Sequence, residues 1–129
     1  MLSSIIHNTD SFIASVPKLK RKKYGQFFTN MATANFMASL FCFDLTKPEL
    51  HLLDAGAGTG ILSAAVIDKL IQSGYTGRIY LTCYETDELV LPLLKSNLEL
   101  AKEECGINYE IIQDNYLTSQ LFEDNPLFS

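Results

Sequence analysis

The spacing of apolar residues changes near residue 47. Before it, Ile5, Phe12, Ile13 and Val16 recur at helical intervals and predict a first helix over residues 3–16, ended by Pro17. A basic run and the aromatics Tyr24, Phe27 and Phe28 follow, read as an irregular or extended stretch. Thr29 or Asn30 can cap a second helix over residues 31–41, with Phe36, Met37, Leu40 and Phe41 as its apolar face. Lys47–Pro48 breaks the chain. Beyond that point strand and helix patterns alternate. Residues 50–53 form a short apolar run, Ile61–Gln72 is helical, and Arg78–Tyr84 is rich in strand formers. Asp87 can cap a helix reaching about Glu104, with Pro92 tolerable only in its opening turns and Gly106 closing it; residues 109–113 are a third strand. The order β-α-β-α-β predicts an α/β fold, with a three-stranded parallel sheet and right-handed crossovers, half of a doubly wound architecture.

Composition narrows the class. At 129 residues with 47% hydrophobic and 19% charged content, the chain suits one globular domain. No apolar run is long enough for a membrane span, and the first twenty residues lack the order of a signal peptide. Cys42, Cys83 and Cys105 are odd in number and widely spaced, as expected of reduced thiols in a cytoplasmic protein. His7 and His51 have no acidic or cysteine neighbours at ligand spacing, so no metal site is expected.

Charge is unevenly spread. The net charge is −5, yet five of the six residues from Lys18 to Lys23 are basic. Without those five the remainder carries five basic against fifteen acidic residues, a balance of −10 that repels a phosphate backbone. Contact with nucleic acid therefore falls to the basic segment or to parts outside these residues.

The richest chemistry lies in "LLDAGAGTGIL", residues 52–62. Gly56, Gly58 and Gly60 stand between a strand and a helix, where backbone amides can face a ligand. A phosphate-binding Walker loop needs Lys after the last glycine, and the dinucleotide fingerprint needs glycine at 61; Ile61 fails both. Downstream, "CYETDE" puts Glu85 at the carboxyl end of the second strand, where a carboxylate can accept both ribose hydroxyls. That feature alone is common to dinucleotide and methyl-donor sites.

The pair "KKYGQFFTN" and "LLDAGAGTGILSAA", in that order, closely resembles the amino-terminal part of adenine-specific DNA methyltransferases of restriction–modification systems over roughly residues 20–117. The resemblance implies a partial class I methyltransferase (Rossmann-like) fold. It divides into a helical segment with the Gly-Gln-Phe-Phe-Thr motif, residues 1–46, and the first half of the catalytic domain, residues 47–129. It implies S-adenosylmethionine as cofactor. Phe27, Phe28 and Thr29 would line its amino-acid moiety, Asp54, Gly56 and Gly58 its methionine and sulfonium side, Glu85 the ribose, and Asp114 or Asn115 the adenine. Three positions depart from the family: Asn30 and Ala55 stand where proline is usual, and Asn115 where aspartate is expected.

The family's catalytic Asn-Pro-Pro-Tyr/Phe segment does not occur in the chain. "DNPLF", Asp124–Phe128, has only one proline and no apolar strand leading into it. Hence no catalytic residue is assigned, and the chain alone is expected to bind cofactor without transferring methyl. DNA would be met through a carboxyl-terminal part beyond these residues, and the outer edge of the first strand would stay open to self-association.

Overall fold

The computed structural model describes residues 1–28 and 30–117. Thr29 and the Asp124–Phe128 stretch lie outside the described residues. In chain order the elements are α1 (Leu2–Ser15), α2 (Lys18–Phe27), α3 (Met31–Ser39), β1 (Glu49–Asp54), α4 (Ile61–Gln72), β2 (Arg78–Tyr84), α5 (Leu91–Cys105) and β3 (Asn108–Ile112). The strands form a parallel sheet in the order β1-β2-β3, with Asp54 opposite Cys83 and Cys83 opposite Ile111. All three carboxyl ends thus open on one edge, where ligands of such sheets bind. This is the α/β architecture that the strand–helix alternation predicts.

Central β2 alternates cleanly, burying Ile79, Leu81 and Cys83. Against the sheet α4 lays Ile61, Ala64, Ala65, Ile67 and Leu70, and α5 lays Leu94, Leu98 and Ala101. The amino-terminal helices enter the same core through Leu2 and Ile5 of α1 and Ala34 and Ala38 of α3. Cys83 is fully buried; burial first, then the Asp54 carboxylate, pushes its thiol up to about 12, partly offset by Ser63. Cys42 is exposed. Iodoacetamide at pH 8 is therefore expected to label Cys42 in the native chain and spare Cys83. Comparable labelling of both would mean that β2 opens readily.

Four expectations need correction. Residues 18–27 form a helix rather than an extended stretch. Lys, Arg and Leu are good helix formers, and Pro17 sits at the N-cap, where its missing N–H and fixed φ suit a helix start. The third helix stops at Ser39, two residues short of the expected end; there the Lys69 ammonium donates to the carbonyls of Ala38, in the last turn, and Phe41, just past it, at 3.0 and 2.6 Å. Its buried face is Ala34 and Ala38, small enough to let α3 approach α4, while Phe36 and Leu40 point outward, 65% and 67% exposed. Finally, α5 begins at Leu91, one turn after Asp87. Pro92 falls in its first turn, and Asp87 closes the preceding turn instead, accepting Leu89 N–H at 2.9 Å. The Asn30 cap is as predicted: its side chain accepts Thr33 N–H at 2.8 Å.

Candidate cofactor site

The loop between β1 and α4 is held from both ends. At its start the Asp54 carboxylate accepts the Ser63 hydroxyl at 2.7 Å and, more weakly, Gly56 N–H at 3.4 Å. At its end Gly60 caps α4 with φ of +88°, and a Cβ there would sit 3.2 Å from Leu94. Gly58 also has positive φ, +54°, and its α-carbon faces the Phe28 ring. Gly56 has open space where a side chain would be.

Beneath the loop runs the end of β2. Ala57 N–H donates to the Tyr84 carbonyl at 3.0 Å, and Gly58 N–H to Glu85 Oε1 at 2.7 Å. The other Glu85 oxygen accepts Thr86 N–H and Asp87 N–H, each at 2.9 Å. Three backbone donors therefore fix this carboxylate, and about four lone-pair sites leave it capacity to accept from a ligand hydroxyl.

The facing wall is aromatic. Tyr24 and Phe28 stack with centroids 5.3 Å apart, and the Phe12 ring meets Tyr24 edge-on at 5.3 Å. The Tyr24 hydroxyl donates to Asp87 Oδ2 at 2.9 Å. Burial first, then the bond to Asp87, raises its pKa, so the phenol remains a donor well above neutral pH. Between wall and loop lies a cavity of about 250 Å³ lined by Tyr24, Phe28, Gly56, Gly58, Glu85, Asp87 and Val90. A second, of about 60 Å³ and lined also by Asp54, adjoins it along Phe28, Gly56 and Gly58. Together they reach the lower end of the range for small-molecule sites, roughly 300–1,000 Å³.

A buried polar strut supports the loop from behind. The Thr9 and Thr59 hydroxyls share a 2.8 Å hydrogen bond; Asn97 Nδ2 donates to the Thr59 carbonyl at 2.8 Å, and Asn8 donates to Asn97 at 3.0 Å. Thr9, Thr59 and Asn97 are all buried. Sequence reasoning missed this strut, although Thr9 and Asn97 are polar intrusions in the apolar stripes of α1 and α5. It also missed Asp87 and Val90 as lining residues, while Tyr24 belongs to the aromatic stretch whose Phe28 was singled out.

Of the residues singled out in the sequence, the structure brings together Phe28, Asp54, Gly56, Gly58 and Glu85. Phe27 is the last residue of α2, and Thr29 is outside the described residues. Asp114 and Asn115 follow β3 on the same sheet edge but do not line the two cavities; Asp114 accepts Asn115 N–H at 2.7 Å. Among the described residues no cluster of His, Cys, Asp and Glu is arranged for a metal ion, and no helix is long and apolar enough to cross a membrane.

Comparisons with known proteins bear on this geometry. The chain is 37% identical over 118 residues to the Type II methyltransferase M.BsuBI of Bacillus subtilis, a match covering 90% of the chain and 23% of that protein. It is 34% identical over 106 residues to the Type II methyltransferase M.PstI of Providencia stuartii, covering 78% of the chain and 20% of that protein. Thus the chain spans about a fifth to a quarter of the curated relatives it matches. No family model matches. A class I S-adenosylmethionine-dependent methyltransferase from Listeria monocytogenes superposes with a TM-score of 0.50 at 17% identity, over 83% of the chain and 34% of that structure.

Proposed function

For a chain that has the class I methyltransferase fold and is a sequence relative of the Type II methyltransferases, we propose the role of methyl-donor-binding part of a restriction–modification DNA adenine-N6 methyltransferase. The observation that carries this reading is Glu85. Its carboxylate stands at the end of β2, fixed by three backbone amides, across the cavity from the aromatic wall. The lining fits S-adenosylmethionine: an acceptor for ribose hydroxyls, open backbone at Gly56, and aromatic faces beside them. When bound, the cofactor supplies an electrophilic methyl on a sulfonium.

The residues of this chain bind, orient and exclude water. Glu85 accepts the ribose hydroxyls. Gly56, tied to Asp54, and Gly58, tied to Glu85, admit the methionine side against the backbone, and Phe28, joined by Phe27 and Thr29 as the resemblance implies, meets the amino-acid moiety. Asp114 or Asn115 takes the adenine amine. In this division residues 1–46 supply the cover and residues 47–129 the loop and strands.

Transfer itself needs groups to hold the target amine, and the Asn-Pro-Pro-Tyr/Phe segment is not among the 129 residues. The chain alone is therefore expected to retain tritiated S-adenosylmethionine but pass no label to mixed-sequence duplex DNA, because positioning supplies much of the rate of such a transfer. Label in DNA above that of a Gly58→Asp control would contradict this. Nucleoside analysis of DNA from cells carrying the gene at its native locus tests the chemistry of the whole enzyme: N6-methyladenine is expected, and 5-methylcytosine alone would overturn the assignment.

The open flank of β1 adds a proposal about association. β1 is an edge strand of the described sheet, and beside it lies a cavity of about 440 Å³ lined by Phe41, Phe43, Leu53 and Val66. Leu53 is 51% exposed. Such an edge favours pairing with another chain. Sedimentation velocity is expected to show concentration-dependent self-association, which Leu53→Lys reduces; a monomer at all concentrations would count against it.

A further inference from the structure

Helix α2 carries two chemistries in ten residues. Its second half carries Tyr24, whose hydroxyl is bonded to Asp87 and whose ring lines the cavity with Glu85. Its first six residues gather half of the chain's ten basic residues: Lys18, Lys20, Arg21, Lys22 and Lys23. Lys18, Lys20 and Arg21 are exposed, and no carboxylate pairs with any of them among the described residues. Arg21 donates to the Val16 carbonyl at 3.1 Å.

The residues favour a helix by propensity, but their charges do not. Its first turn is basic with no acidic residue, opposing the helix dipole, which favours anions at that end. Lys18, Lys20 and Arg21, exposed, without a carboxylate partner among the described residues and set against the dipole, are explained by an external polyanion. Location selects which one. Lys20 lies one turn before Tyr24, about 6 Å along the axis at 1.5 Å per residue, so an anion gripped there lies within one helical turn of a residue that lines the cofactor cavity.

We propose that the amino-terminal turns of α2 bind the phosphate backbone of duplex DNA, while its aromatic end walls the cofactor cavity. The helix thereby sets the duplex beside the methyl donor, and it supplies local attraction on a body whose remaining charge, −10, repels DNA. The identity of the polyanion rests on the function proposed above; the basic surface does not.

The test uses the full chain and a fluorescein-labelled mixed-sequence duplex, read by anisotropy. Binding is expected at 50 mM salt, falling roughly a hundredfold by 200 mM if about four phosphates are contacted. K18E/K20E is expected to lose at least about tenfold at 50 mM and to lower the log–log salt slope by about two. Its S-adenosylhomocysteine affinity should be unchanged, which also reports that it folds. K95E/K102E, on α5, should bind DNA like the parent. Absence of duplex binding at 50 mM, equal binding by K18E/K20E and the parent, or tighter binding to phosphatidylserine vesicles than to DNA would each overturn the proposal. If α2-dependent DNA binding persists while S-adenosylhomocysteine fails to bind, the cofactor reading falls and this one stands.

Discussion

Asn97→Ala is expected to lower the free energy of unfolding by roughly 2–5 kcal/mol in urea denaturation, a large share of a small domain's stability. Asn97 is fully buried on α5, donating to the Thr59 carbonyl and accepting from Asn8. Truncation leaves the buried Thr59 carbonyl without its donor, at about 1–3 kcal/mol, frees the half-buried Asn8 amide, and opens a cavity that adds to the loss. Asn97→Leu fills most of the volume yet restores neither bond, so comparing the two variants separates cavity from hydrogen bonding. The loss should reach the site as well. Thr59 lies between Gly58 and Gly60, and without Asn97 its carbonyl loses its donor while its hydroxyl keeps the bond to Thr9. A loss below about 1 kcal/mol would show that the network is not what fixes the loop.

Glu85→Ala is expected to weaken S-adenosylhomocysteine binding by roughly 1–3 kcal/mol, between about fivefold and a hundredfold or more. Two effects act in the same direction. The ribose hydroxyls lose their acceptor, and the amides of Gly58, Thr86 and Asp87 lose the oxygens that order them. Glu85→Gln keeps one acceptor oxygen but turns a donor toward amide N–H groups, so it is expected to fall at least as far as midway. Binding by Glu85→Ala equal to that of the parent would remove Glu85 from the site.

The sheet and its crossovers were legible because their signals are local and strong. Ile61–Gln72 and Arg78–Tyr84 agree residue for residue with the pattern, since period and punctuation coincide there. The glycine loop was legible for the same reason: positions 56, 58 and 60 dictate backbone geometry without help from distant residues. Misreadings arose where tertiary contacts decide. The basic segment offered no helical apolar stripe, so only its good helix formers favoured α2, and the anchor for that helix, Asp87, is 63 residues from Tyr24. On α3 the large apolar residues drew attention, whereas α4 selected the alanines. The strut joining Thr9, Thr59 and Asn97 spans 50 and 38 residues, separations that no local pattern encodes.

One titration tests the central claim directly: calorimetry of the chain with S-adenosylhomocysteine and, separately, NADH. Both ligands offer Glu85 a ribose, so the acid alone cannot discriminate between them. The loop can, because Ile61 stands where a dinucleotide site needs its third glycine. One S-adenosylhomocysteine per chain, with NADH binding far more weakly, is the predicted result. Tighter binding of NADH, or no binding of S-adenosylhomocysteine, would contradict the account.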